Sequence, residues 1–412
     1  METLYCEMDN ALNQIAEEHR HLPSFQYFVE ITRAWHERLC ENQEKPAVIA
    51  AGTGIPDELL RAAGAAPIYI LGGCREACML SDDMVPRDAD PVSRSILGDL
   101  YRRGGTDPGK DLILIPLYSD SMRKIASQLT LAGRKVVTVD MPPIQKSLPA
   151  FKKYKDQLIL MAEAVCEHLR SHITAASLKK AVKAAVGARS GMQLFLGNGI
   201  YEGNAFSSLA GILVQNSYYY AEDLTKWQEM LSRLQKEIWQ AQFLKRTGHQ
   251  NPPEILLLGS PVFFPNGKLP SLFAESNLRM IRNIDPSTEV FEVIPHIAKA
   301  GNHADRIFES IAYEWFRRDT SSAYIKNENL RQKVRELLAA QEVEGVVCHI
   351  LKGQIEPDFE LSWFEELFEQ ADIPVFRLET DYQYQDVEQL RIRMEAFSEM
   401  LQQRRYSRRK AV

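Results

Sequence analysis

Cys74 and Cys78 form a C-x3-C pair, and Cys348 sits inside the apolar run Gly345–His349. The six cysteines of the chain read as free thiols or metal ligands, not as disulfides, because nothing marks the chain for an oxidising compartment. The competing reading is structural, with Cys78 an ordinary helix residue and Cys348 a buried strand thiol. Acid–base chemistry is the second possibility. Glu58 follows Pro56-Asp57 at a helix start, either as an acid beside a strand-end site or as a carboxylate favouring the helix dipole. Ser119 and Asp120 lie in the turn Tyr118-Ser119-Asp120-Ser121, as catalytic groups or as helix caps. Gly259-Ser260-Pro261 ends a further apolar run and reads as a substrate or partner contact, or as a plain turn. His349 and Lys352 follow the run that contains Cys348, as site residues or as lobe-interface groups. The chain has no Walker lysine motif, no GxGxxG after a strand and no HExxH.

These residues need elements to position them. The stretch 47–73 reads as strand, glycine turn, short helix ending at Gly64, and strand. Strands are predicted at Ala47–Ala51, Pro67–Leu71, Asp111–Leu117 and Lys135–Val139. A second set follows at Ile255–Leu258, Val290–Ile294, Gly345–His349 and Pro374–Leu378. Short apolar strands separated by helices imply mostly parallel sheets buried on both faces. Between the two sets, long helical patterns cover Lys152–Ser171, Ser177–Phe195 and Tyr220–Thr247. Gly197, Gly199 and Gly203 read there as a helix break. The division expected is a helical N-terminal extension (1–45), a first α/β lobe (46–143), a helical segment (144–250), and a second α/β lobe with a C-terminal helix (251–412).

Hydrophobic residues make up 45% and charged residues 25% of the chain, and net charge is −6. That balance suits a globular protein and argues against a nucleic-acid binder. The basic tail 404–410 reads as a solvated, frayed terminus. No apolar run is long enough for a membrane span and no leader pattern is visible, which points to the cytoplasm.

Seven pieces in order resemble the 2-hydroxyacyl-CoA dehydratase D-component family, which includes benzoyl-CoA reductase subunits. They are Ile55–Gly73, Pro91–Asp99, Asp111–Ile125, Val136–Pro142, Leu256–Val262, Glu344–Asp358 and Ile373–Leu401. The last contains RIRMEAF, similar to the family's R-x-E-A-F helix, with a buried Arg393–Glu395 pairing across lobes expected. The resemblance implies two Rossmann-like α/β lobes joined by a helical part. It implies reductive elimination of water from a 2-hydroxyacyl-CoA, with a sister subunit, an ATP-dependent activator that injects one electron, and a dimeric assembly. In the reaction so implied the proton to be removed is not acidic; a ketyl radical intermediate makes it so, and a [4Fe-4S] cluster relays the electron and holds the substrate.

The resemblance also implies three cluster-ligand cysteines, and this chain departs from all of them. The motif C-P-x-x-[RK]-S falls on Asp90–Ser95, so Asp90 replaces the first cysteine. The motif C-D-[ST] falls on Ser119–Ser121, so Ser119 replaces the second, and the third falls at or beside Gln354. Oxygen ligands substitute poorly for thiolates on iron–sulfur. The expectation is therefore a dehydratase-like subunit in which the family's cluster is missing or rebuilt on Cys74, Cys78 and Cys348. The alternative is a non-redox homologue that binds acyl-CoA or serves as a scaffold.

Overall fold

The computed structural model describes residues 6–40, 46–86, 88–103, 109–144, 146–197, 205–244, 252–318, 324–325, 327–340 and 343–411. The chain opens with helices α1 (Cys6–Glu18) and α2 (Phe25–Cys40). The first sheet and its helices follow as β1 (Val48–Ala51), α3 (Asp57–Ala62), β2 (Ile68–Ile70), α4 (Arg75–Leu80), α5 (Pro91–Arg103), β3 (Leu112–Leu117), α6 (Asp120–Leu131) and β4 (Lys135–Asp140). Four helices come next: α7 (Leu148–Leu169), α8 (Ala175–Gly197), α9 (Ser208–Tyr220) and α10 (Leu224–Leu244). The second sheet is built from β5 (Glu254–Gly259), α11 (Lys268–Glu275), β6 (Arg279–Ile284), α12 (Ala304–Phe316), α13 (Glu328–Ala340), β7 (Gly345–Leu351), α14 (Glu356–Gln370) and β8 (Val375–Thr380). Helix α15 (Val387–Ala411) closes the described chain.

Both sheets are parallel and share one topology, β2-β1-β3-β4 and β6-β5-β7-β8. This is the α/β, two-lobed fold read from the apolar strand pattern. In each sheet the chain leaves the first strand to one side and returns on the other. The crevices outside β1/β3 and β5/β7 are therefore topological switch points, where open α/β sheets place ligands. Alternation along β5 and β7 separates two cores. Leu257, Val347 and Leu351 face the large core shared by both lobes. Leu256, Val346, Cys348 and Ile350 face a smaller one under α13 and α14, with Leu330, Phe364 and Phe368. Each such buried side chain contributes about 1.5–3 kcal/mol.

The N-terminal helices dock on this core. Trp35 donates from its indole to Tyr69 O at 2.7 Å and stacks on Tyr220 with ring centroids 3.9 Å apart. Three local expectations give way to tertiary context. Val290–Ile294 is not a strand: Glu289–Glu292 is a 3-10 turn, and the sheet's edge strand is β6 instead. The sequence RMIRNI looks too polar for a strand, but Arg279 pairs with Glu254 and Asn283 exchanges amide hydrogen bonds with Gln215. The expected Tyr220–Thr247 helix is α10 from Leu224, preceded by α9, which is buried from Ala210 to Tyr220 and so carries no amphipathic period.

Arg393 and Glu395 do not pair across the lobes. Both are exposed on α15, and Arg393 donates to Arg377 O at 3.2 Å. The tail is helical through Ala411, and Arg404 and Arg405 are tied down, on Asp372 O at 3.0 Å and on Glu344. Gly197 ends α8, while Gly199 and Gly203 lie outside the described residues.

Candidate functional site at the interlobe seam

Asp90 precedes α5 and is buried. Its Oδ1 accepts Ser93 N–H at 2.9 Å, as a helix cap does, and also the Gln354 side-chain amide at 3.3 Å. Gln354 arrives from the other lobe, in the turn between β7 and α14. Gly353 makes that turn possible. Its φ is +85°, and a Cβ there would lie 2.6 Å from Asp88 O and 2.9 Å from Asp90 N. Two of the residues that the resemblance aligns with ligand positions, Asp90 and Gln354, are thus in direct contact across the seam. The third, Ser119, caps α6, its Oγ accepting Met122 N–H at 3.2 Å. Asp120 is exposed at the first position of α6.

Two further groups belong to this crevice that the sequence did not single out as site residues. Tyr118 is half-buried at the end of β3, with its hydroxyl 3.0 Å from where a Cβ on Gly52 would stand. Burial, reinforced by the Asp90 charge, pushes its phenol well up. Burial also raises the Glu356 carboxyl, and the charges of Asp90 and Asp120 add to that. Asp90, Tyr118, Asp120, Gln354 and Glu356 form one polar constellation at the carboxyl ends of β3 and β7. It offers hydrogen-bond acceptors and a phenol, and no thiol.

A [4Fe-4S] cluster does not fit these residues. The Asp90 oxygen already holds two N–H donors, the Ser119 hydroxyl is engaged as a cap, and Gln354 presents its NH2 group, which has no lone pair to offer iron.

The three cysteines do not converge. Cys348 faces the small core under α14, where burial pushes its thiol up to about 12. Cys78 donates to Pro91 O at 3.1 Å and belongs to the large core. Burial holds the Cys74 and Cys78 thiols protonated. Cys74 donates to Glu7 Oε2 at 3.5 Å, and the same oxygen accepts Glu76 N–H at 3.2 Å. Among the described residues, ligand atoms of Glu7, Cys74 and Glu76 lie within 4.8 Å of one another. The strand period puts Cys348 on the far face of its sheet, away from the other two.

Glu58 sits in a closed network instead of an open site. It has no exposed surface, and its oxygens accept Arg189 Nη1 at 2.6 Å and Trp315 Nε1 at 2.9 Å. Arg189, also fully buried, donates to Val293 O at 2.9 Å, to Tyr218 Oη at 2.8 Å and to Asp57. The Tyr218 hydroxyl in turn donates a hydrogen bond to Asp57 Oδ2 at 3.0 Å. Burial raises Asp57, but Arg189 and Arg61 outweigh it and hold that carboxyl below the usual range. At Glu58 burial wins and the carboxyl is raised. Arg189 escaped the sequence reading, although an arginine spaced with Ala185, Ala188 and Met192 on an apolar helix face was a visible signal.

Gly259, Ser260 and His349 do meet, as backbone ties. Gly259 has φ +118° and lies against His349 O. Ser260 N–H donates to His349 O at 2.7 Å, and Ser260 Oγ accepts Leu351 N–H at 2.9 Å. His349 is buried, and its Nδ1 donates to Ser260 O at 3.0 Å. Burial lowers its pKa to about 4, so the ring is neutral and Nε2 keeps a lone pair with no hydrogen-bond partner among the described residues. Lys352 is exposed and pairs with Asp381 at 3.2 Å.

No helix among the described residues is long and apolar enough to cross a membrane. The sequence model of the 2-hydroxyglutaryl-CoA dehydratase D-component family matches residues 53–401. The chain is also similar to the (R)-phenyllactyl-CoA dehydratase beta subunit of Clostridium sporogenes, 22% identical over 349 residues that cover 84% of this chain and 89% of the relative. The matched span takes in the second parallel sheet, every strand of the first but β1, and the helices between them, and the chain belongs to the 2-hydroxyglutaryl-CoA dehydratase D-component family.

Proposed function

We propose that this chain is a cluster-free subunit of a 2-hydroxyacyl-CoA dehydratase-type complex. The redox step falls to a cysteine-bearing sister subunit, supplied with electrons by an ATP-dependent activator. This chain contributes half of the acyl-CoA cleft and the subunit interface. Family membership and the name of the relative, a dehydratase beta subunit, support the complex and the 2-hydroxyacyl-CoA substrate class. The observation that carries the cluster-free assignment is the Asp90–Gln354 contact. Where the family places thiolates, this chain has a capped carboxylate and an amide joined across the seam.

What the residues of this chain do is hold and shape. Gly353 brings the β7–α14 turn onto the α5 start, Asp90 and Ser119 cap two helices, and Tyr118 and Glu356 present protonatable groups beside them. The test is anaerobic purification, reconstitution with iron and sulfide, and mixing with a sister chain whose cluster cysteines are intact. The expected result is no stoichiometric iron or labile sulfide on this chain alone, and acyl-CoA dehydration only when both chains and the activator are present. A full complement of iron and sulfide on the isolated chain would overturn the assignment. Full activity of the sister chain by itself would overturn the subunit role.

A further inference from the structure

Lys268 is the first residue of α11, a poor place for a cation, since the helix dipole is positive there. It is nevertheless buried, 2% exposed, with its side chain running into the turn between β8 and α15. The ammonium meets four oxygens. Nζ lies 2.6 Å from Thr380 Oγ1, 3.1 Å from Asp381 O and 2.5 Å from Gln383 O, and it contacts Asp386 Oδ1. An ammonium on a carbon stem has three N–H donors, so the oxygens outnumber the protons that can reach them. The Thr380 hydroxyl gives its own proton to Asp386 Oδ2 at 2.8 Å, which leaves its lone pairs for Nζ. Two backbone carbonyls, one hydroxyl and one carboxylate around a single positive centre are the coordination chemistry of a dehydrated monovalent cation, where oxygens replace the hydration shell.

We propose that the Thr380–Asp386 turn is a monovalent-cation cage whose resident ion is the tethered ammonium of Lys268, and that removing the side chain opens the cage to free ammonium or potassium. The turn has a task. Tyr382, at its centre, is buried and donates to Gly72 O of the first lobe at 3.3 Å. Asp381 Oδ1 accepts Gln383 N–H at 2.8 Å and fixes the same loop. The cation therefore pins the second lobe's contribution to the seam. Tethering the cation makes that contact independent of the surrounding ion concentration. A cavity of about 10 Å³ beside the cage, bordered by Asn266, Lys268, His349 and Thr380, adds space when the lysine stem is cut back.

The experiment is thermal unfolding of the full chain and of Lys268→Ala in tetramethylammonium chloride, with ammonium or potassium chloride replacing it stepwise at constant ionic strength. The wild-type midpoint should not depend on which cation is present. K268A should melt several degrees lower in tetramethylammonium and regain part of the loss along a saturating curve in ammonium. The double variant with Asp386→Asn should lose that regain. Equal midpoints for K268A and wild type, or a K268A midpoint that ignores ammonium, would overturn the proposal. If K268A is insoluble in tetramethylammonium, recovery of folded protein only in ammonium supports the cage, and failure in every salt overturns it. Asp386→Asn alone, with Lys268 in place, should lower the midpoint without any response to added cation, and an unchanged midpoint would count against the cage.

Discussion

Replacing Arg189 with methionine tests the closed network around Glu58. The guanidinium is fully buried and serves Glu58, Asp57, Tyr218 and Val293 O. Methionine keeps most of the volume, so the cost lies in the partners left behind. Breaking a buried ion pair by removing one member costs about 3–5 kcal/mol, because an uncompensated charge stays in the interior. Asp57 keeps Tyr218 and Arg61, at 3.0 Å and 3.3 Å, and Glu58 keeps Trp315, so we expect the lower half of that range at neutral pH. The sign of the pH dependence follows from linkage. Burial already raises the Glu58 carboxyl, and without Arg189 the attraction that partly offsets burial is gone, so at Glu58 the folded state binds more protons than the unfolded state. Stability then falls as pH rises through that window, and the deficit against wild type should shrink on acidification. Urea unfolding of both proteins at pH 5 and pH 7 measures this through the midpoint at constant slope. A loss under about 1 kcal/mol at pH 7, or a deficit that does not shrink at pH 5, would refute the account of the network. Adding Glu58→Gln to R189M should recover part of the loss, because the amide has no charge to strand.

Gly353→Ala should cost about 1–3 kcal/mol and loosen the seam, since its φ of +85° is strained for alanine and its Cβ would press on Asp88 and Asp90; urea unfolding reads the cost and protease sensitivity the loosening. Asp99 and Asp285 are fully buried, and burial raises each to about 6. Each therefore contributes stability at low pH that is lost between about pH 4, the unfolded value, and pH 6. Asp285→Asn should flatten that part of the stability–pH curve, and an unchanged curve would rule Asp285 out as its source. Cys348→Ala should leave the iron content of reconstituted protein unchanged, because Cys348 faces a separate core from that of Cys78. A fall in iron on that substitution would restore it as a ligand.

The parallel sheets were legible because buried strands are local signals. LILIPL (112–117) and GVVC (345–348) are apolar without interruption, as suits short strands covered on both faces. Strand β6 was not legible, because Arg279 and Asn283 are buried beside partners far away in sequence, and no local window contains those partners. The seam was half legible. Aligned motifs pointed to Asp90, Ser119 and Gln354, but their meeting could not be read from any one of them. Tyr118 and Glu356 lay inside quoted stretches without being singled out, and joined the site because β3 and β7 end on the same crevice.

By itself, the sequence determined the fold class and the family, since each rests on which residue stands at which place in an ordered set of short motifs. Only the tertiary structure decided what the polar residues do. Glu58 and Arg189 are 131 positions apart, Glu58 and Trp315 are 257 apart, and Asp90 and Gln354 are 264 apart. A carboxylate at a helix start reads the same whether it faces solvent, substrate or a buried guanidinium. Its chemistry is set by the partner and the dielectric that folding brings to it, and neither is written in its neighbours along the chain.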